Sequence, residues 1–170
     1  IRDRRLDDLR TADGASALNA ASEACLSGLD ICRQIQTRRR LLEDISQVSE
    51  VLNDYLCNYF DPCFQRAKQY TMDRWAMFGS FDGELPKQYQ TLSLSDFGFH
   101  NALRQKDGII RFVDLEYFGW DDPVKLVSDF WWHPGMCLKE SMKTIWLRKT
   151  ADIFSSDRNF LSRLNAAHPA

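Results

Sequence analysis

The chain has 170 residues, 44% hydrophobic and 27% charged, with 22 Lys and Arg against 24 Asp and Glu for a formal charge of −2. Such a length buries a real core and fits one domain, and the near-neutral charge argues against a large nucleic-acid footprint. No apolar run approaches the ~20 residues of a membrane span, no signal-peptide pattern occurs, and five cysteines without a C-x-x-C pair fit no closed disulfide framework, so reduced thiols and a cytoplasmic setting are expected.

Residues 1–14 are charge-rich, end at Asp13-Gly14 and read as a linker or a lead-in helix. From Ala15 onward Leu18, Ala21, Cys25, Leu29, Cys32 and Ile35 recur at three- and four-residue spacing and predict a helix with one apolar stripe. Arg38-Arg39-Arg40 interrupts that stripe as a solvated face, with Glu43 and Asp44 behind it. A second stripe through Leu41, Ile45, Val48, Val51, Leu52, Tyr55, Leu56 and Tyr59 predicts another helix, bent or broken at Asp61-Pro62 and resumed from Phe64 to Met77. Gly79, Gly83 and Pro86 mark a loop up to Thr91. Short strands at 102–104 and 109–113 flank an Asp107-Gly108 turn. Pro123 opens a helix carrying Val124, Leu126, Val127, Phe130 and Trp131; His133-Pro134-Gly135 ends it, and Leu138, Met142, Ile145, Trp146 and Ile153 continue as a further helix. The expected fold is mainly α with a small β-hairpin, without internal repeats or low-complexity tracts.

The chemistry concentrates in residues 93–129. Asp96 stands five residues before Asn101, and the hairpin that follows carries Asp114 and Glu116 back towards the same place. From 94 to 129 there are seven acidic residues against four basic ones, so this segment is acidic within a nearly neutral chain. Magnesium prefers hard oxygen donors and keeps most of its waters, so one amide and one carboxylate beside nucleotide phosphates suffice to hold it. Asp96-Phe97-Gly98 spells the kinase D-F-G, yet Asp73, where a catalytic Asp would then stand, is followed five positions later by Phe78 rather than Asn. With Asp96 as the catalytic-loop acid, Asn101, the Asp107-Gly108 turn, the β-rich run Ile109-Ile110-Arg111-Phe112-Val113 and the terminal Asp114 all fall in order.

On these residues the segment resembles the aminoglycoside phosphotransferase and choline/ethanolamine kinase group. Asp96 to Asn101 is similar to its H-G-D-x-x-x-x-N loop, Val113-Asp114-Leu115-Glu116-Tyr117 to its I-D-x-E-Y segment, and Asp122-Pro123 to its G-D-P, with Asp121 where Gly is usual. Leu94-Ser95 replaces the His-Gly before the catalytic Asp, and Leu126 stands where an Asp follows the G-D-P proline by three. The resemblance implies the helical C-terminal lobe of a protein-kinase-like fold over residues 15–165, with a catalytic loop at 94–101 and a metal-binding loop at 114–122. It also implies a small-molecule hydroxyl substrate, ATP and Mg2+, and a nucleotide-binding N-terminal lobe from the same parent protein, since no glycine-rich phosphate loop occurs in this chain. The isolated chain is then expected to be inactive.

Within that frame Asp96 is the catalytic base, Asn101, Asp114 and Glu116 are the metal ligands, and His100 contacts phosphate or packs the loop. Asp122 and Asp129 are candidates for holding the loop amides from behind. Tyr117 and Trp120, beside the acidic residues, are the aromatics expected to face a cationic substrate. Each has an ordinary structural alternative: Asn101 as a turn residue, Asp114 as a strand-end cap, Glu116 as an exposed loop residue, and the aromatics as core. A pseudokinase or helical interaction module remains the rival from a different class, and a metal-dependent phosphohydrolase a third.

Overall fold

A computed structural model describes residues 17–168, so the expected linker or lead-in helix over 1–14 lies outside the described residues. The described chain is mainly α-helical with two small antiparallel sheets, and it divides into two compact units. One is built from Cys25–Glu84 with residues 162–168; the other from Leu85–Leu161 with residues 17–24. No helix among the described residues is long and apolar enough to cross a membrane.

In the helical unit, α1 (Gly28–Arg40) starts because Ser27 caps it: the Ser27 hydroxyl accepts from the Asp30 amide at 3.1 Å, a bond worth about 1 kcal/mol to a helix. Gly28 follows because a Cβ there would fall 2.5 Å from the Phe81 ring. The helix expected from Ala15 therefore begins thirteen residues later, at Gly28, and the spacing of Leu18, Ala21 and Cys25 is not helical. Next come α2 (Glu43–Val48) and α3 (Glu50–Tyr55), separated at Ser49, whose side chain caps α3 through the Leu52 amide.

A π-helical turn, Leu56–Phe60, joins α3 to α4 (Asp61–Trp75). At Asp61-Pro62, where a bend or break was expected, the chain passes through this π turn and continues as a helix. In an unbroken α-helix the Pro62 ring would press on the carbonyl four residues back; here the Asp61 amide reaches back to the Leu56 carbonyl, and the widened turn sets Pro62 in the first turn of α4, where its missing N–H costs nothing. Arg39 clamps α1 to α4 with two 3.0 Å bonds to the Asp61 carboxylate, and that guanidinium lowers the Asp61 pKa. Cys32, Leu56, Phe64, Thr71 and Trp75 fill the core. Of the second predicted stripe only Leu56 is buried; Leu41, Ile45, Val48, Val51, Tyr55 and Tyr59 face solvent.

In the other unit β1 (Thr91–Ser93) is followed by a tight 3-10 turn at Phe99–Asn101, then β2 (Ala102–Arg104), β3 (Ile110–Phe112), β4 (Gly119–Asp121), α5 (Pro123–Trp132) and α6 (Glu140–Ile153). The predicted hairpin is β2–β3, with Ala102 opposite Phe112 and Arg104 opposite Ile110; Gly108, at φ +86, makes its turn. A second ladder, not expected from the sequence, pairs β1 with β4: Thr91 lies opposite Asp121 and Ser93 opposite Gly119. Residues 94–118 thus leave and return through one two-stranded clamp. Residues 19–21 lie along β4, where the Ala21 amide bonds the Trp120 carbonyl at 2.9 Å and the Trp120 amide bonds the Asn19 carbonyl at 3.1 Å, which is why this segment is extended. A Cβ on Gly119 would fall 2.5 Å from the Ala21 amide, so only glycine admits this approach. The helix α7 (Phe160–Ala167) spans the sequence boundary between the units.

Candidate active site

The clamp ends in a loop whose conformation is set residue by residue. Ser95 turns the chain with φ 59, a left-handed conformation that a β-carbon disfavours. It is held there by its amide, which donates to the Ser93 hydroxyl at 3.0 Å, and by its own hydroxyl, which donates to the Tyr117 carbonyl at 3.3 Å. Phe97 then seats the loop: its ring centroid lies 5.0 Å from Phe112, 5.3 Å from Phe130 and 6.1 Å from Trp146, so β3, α5 and α6 all grip one side chain. Gly98 leaves room for His100 to fold back over the loop, since a Cβ there would fall 2.5 Å from the imidazole.

This folding brings Asp96, His100 and Asn101 together. The His100 Nε2 lies 3.0 Å from Asp96 Oδ1, and the Asn101 amide nitrogen donates to both the Asp96 carbonyl and Asp96 Oδ2 at 3.1 Å. The hydrogen bond from His100, with smaller help from Asn101 and from His133, holds the Asp96 carboxyl below its ordinary pKa. Asp96 is therefore an ionised acceptor at neutral pH, and its side chain is half exposed, within reach of a ligand. Asn101 is buried; with its nitrogen spent on Asp96, the amide oxygen is the atom left to meet a cation.

Asp114 is coupled to this cluster through the backbone. The Val113 amide donates to the Asn101 carbonyl at 2.9 Å, extending the β2–β3 ladder by one step, and Asp114 follows at once with φ 62. A non-glycine residue in that region stores about 1–3 kcal/mol, and Ser95 and Asp114 both adopt it, each two residues past the end of a strand, β1 and β3. Glu116 accepts a hydrogen bond from the Tyr117 hydroxyl, which raises the Tyr117 pKa; Tyr117 stays exposed on the loop.

The remaining predicted residues sit elsewhere. Trp120 was expected to face a substrate, but it lies inside β4, only 4% exposed, with the Lys87 ammonium 3.9 Å above its ring. It is core, because an inward-facing strand position buries whatever occupies it. Asp122, expected to hold loop amides from behind, is buried and caps α5, accepting from the Val124 amide at 2.8 Å. Asp129 receives the Lys125 ammonium one helical turn earlier, at 2.5 Å. The sequence reading missed His133. This residue, treated as a helix terminator, stacks on His100 with ring centroids 4.6 Å apart and reaches Asp96 Oδ1 at 4.0 Å. Nothing local marks it, since it comes from the far end of α5, thirty-three residues after His100.

The chain matches no protein-family model, no curated protein and no solved structure.

Proposed function

We propose that this chain is the helical lobe of an ATP- and Mg2+-dependent phosphotransferase of the aminoglycoside phosphotransferase and choline/ethanolamine kinase type, which phosphorylates a hydroxyl of a small molecule. The observation that carries this is the hydrogen-bonded pair of Asp96 and Asn101 at the root of a hairpin whose returning strand is laddered to Asn101 one residue before Asp114. An ionised carboxylate able to take a hydroxyl proton thus sits beside the Asn101 amide, and the backbone ladder runs to Val113, directly before Asp114, a second carboxylate able to hold a metal on phosphates. Mg2+ supplies charge neutralisation between the nucleotide phosphates; Asn101 and Asp114 would hold it. Asp96 orients the substrate hydroxyl and accepts its proton, and His100 and Asn101 keep that carboxylate fixed and ionised.

Two further features support the family reading. Ser95 occupies the place of the glycine in His-Gly-Asp, and its φ of 59 is the conformation that a glycine there serves. Around the site Phe99, Leu103, Ile110, Val113 and Leu115 expose apolar side chains. This is surface that a nucleotide base and a partner lobe of the same parent protein would cover. The free cysteines fit a cytoplasmic setting.

The test is transfer of the γ-phosphate of ATP by the parent protein to a panel of aminoglycosides, amino alcohols and sugars, followed by phosphorus NMR. Magnesium-dependent product is expected, with Asp96→Asn lowering the rate by about 10²–10⁴ and Asp114→Asn abolishing the response to magnesium. An Asp96→Asn variant that turns over as fast as the wild type would refute the assignment and leave a helical interaction module as the better account.

A further inference from the structure

Beside the proposed magnesium ligands lies a second donor set of different chemistry. His100, His133 and Asp96 each offer one ligand atom within 4.8 Å of the others, and Asp96 Oδ1 stands 3.0 Å from His100 Nε2 and 4.0 Å from His133 Nε2. Zinc with donors at about 2.0–2.1 Å in tetrahedral geometry sets neighbouring donors about 3.3 Å apart, so shifts of under about an ångström in these three side chains bring the atoms to ligand spacing. Two imidazoles and a carboxylate are a donor set for borderline ions of the zinc class, whereas magnesium takes oxygens and is poorly served by two nitrogens.

We propose that Asp96, His100 and His133 form a site for a zinc-class divalent ion, distinct from the magnesium site at Asn101 and Asp114. Three features build it. Gly98 admits the folded-back His100 ring. The two imidazoles stack at 4.6 Å with 20° between their planes, so both present Nε2 to the same carboxylate. His133 is only partly exposed and is anchored in the His133-Pro134-Gly135 turn, its Nδ1 accepting from the Gly135 amide at 3.0 Å.

A neutral imidazole holds the ion through its Nε2 lone pair and keeps its one proton on Nδ1. On His100 this gives up the Nε2 bond to Asp96. On His133 the single ring proton passes from Nε2 to Nδ1 by exchange with water, so the Gly135 amide must release that nitrogen. Three protein ligands leave a position for water. The site does not depend on phosphotransfer; its consequence, that zinc takes the catalytic base away and inhibits the Mg2+-dependent reaction, rests on the function proposed above.

The experiment titrates the chain with Co2+, which reports its ligand geometry in visible absorption, and then displaces it with Zn2+. One equivalent of Co2+ with the strong absorption of four- or five-fold coordination is expected, displaced by Zn2+ and untouched by a large excess of Mg2+. His133→Phe keeps an aromatic ring to stack on His100 but removes the donor; it should melt as the wild type does and bind Zn2+ at least about tenfold more weakly. The Gly135 amide resonance should shift on zinc binding in the wild type alone. No absorption with the wild type, displacement by magnesium, or His133→Phe binding zinc as tightly as the wild type each overturns the site. Asp114→Asn separates the two claims, because it should leave zinc binding intact while removing the magnesium response.

Discussion

Two loops leave the β1–β4 clamp, and they are held differently. The one from Leu94 to Asn101 is fixed at nearly every residue: Ser95 by two hydrogen bonds, Asp96 by His100 and Asn101, and Phe97 by three aromatic rings. The one from Asp114 to Phe118 is exposed throughout and rests on a single described turn bond, from the Phe118 amide to the Leu115 carbonyl, together with the contacts of Tyr117. A group that takes a proton must be oriented before the substrate arrives, since reach and angle decide its efficiency. Metal ligands are different, because the ion and the nucleotide phosphates finish their geometry on binding. Under the proposed function, the contrast gives preorganisation to Asp96 and Asn101 and ligand-driven completion to Asp114 and Glu116.

Three measurements break or sharpen that contrast. The largest effect belongs to Phe97→Ala, which empties the space among Phe112, Phe130 and Trp146 and should cost about 3 kcal/mol in denaturant unfolding; a loss below about 1 kcal/mol would mean that polar bonds alone seat the first loop. Next is the acid dependence of Asp96. Its folded pKa is depressed, first by His100, so its contribution is present above the unfolded carboxylate value near about 3.9 and disappears as pH falls through the lower folded value. Because the side chain is half exposed, the effect is discounted to well under about 1 kcal/mol. The stability gap between wild type and Asp96→Asn should accordingly narrow as acid is added below pH ~4, and a gap independent of pH would show that the carboxylate charge does not hold the loop. Smallest is Ser95→Gly, where relief of the left-handed conformation offsets the lost bond to the Tyr117 carbonyl, for a net change within about 0.5 kcal/mol and unchanged turnover.

The sequence carried the hairpin, the helix opened by Pro123 and the pairing of Asp96 with Asn101, because each has a local signal: a D-G turn, a proline in the first turn, and a spacing fixed by one tight loop. It did not carry β1–β4. Those strands are three residues each, too short to show alternation, and they pair across twenty-five intervening residues. The extended path of residues 19–21 was hidden for a related reason, since a three- and four-residue spacing of small apolar residues serves an edge segment as well as a helix. Trp120 was misread because a buried strand uses the same residue type as a substrate pocket. His133 was invisible because its partner is distant in the chain.

The π turn before Pro62 makes two features of the sequence depend on one another. A single extra residue in the α3–α4 path shifts the hydrogen-bonding register, and that shift is what lets a proline sit where a regular helix would exclude it. Removing the extra residue while Pro62 remains would drive the ring into the preceding turn; replacing Pro62 first carries no such penalty. The two changes are therefore not independent: a deletion that shortens the turn is tolerated only once Pro62 has been replaced.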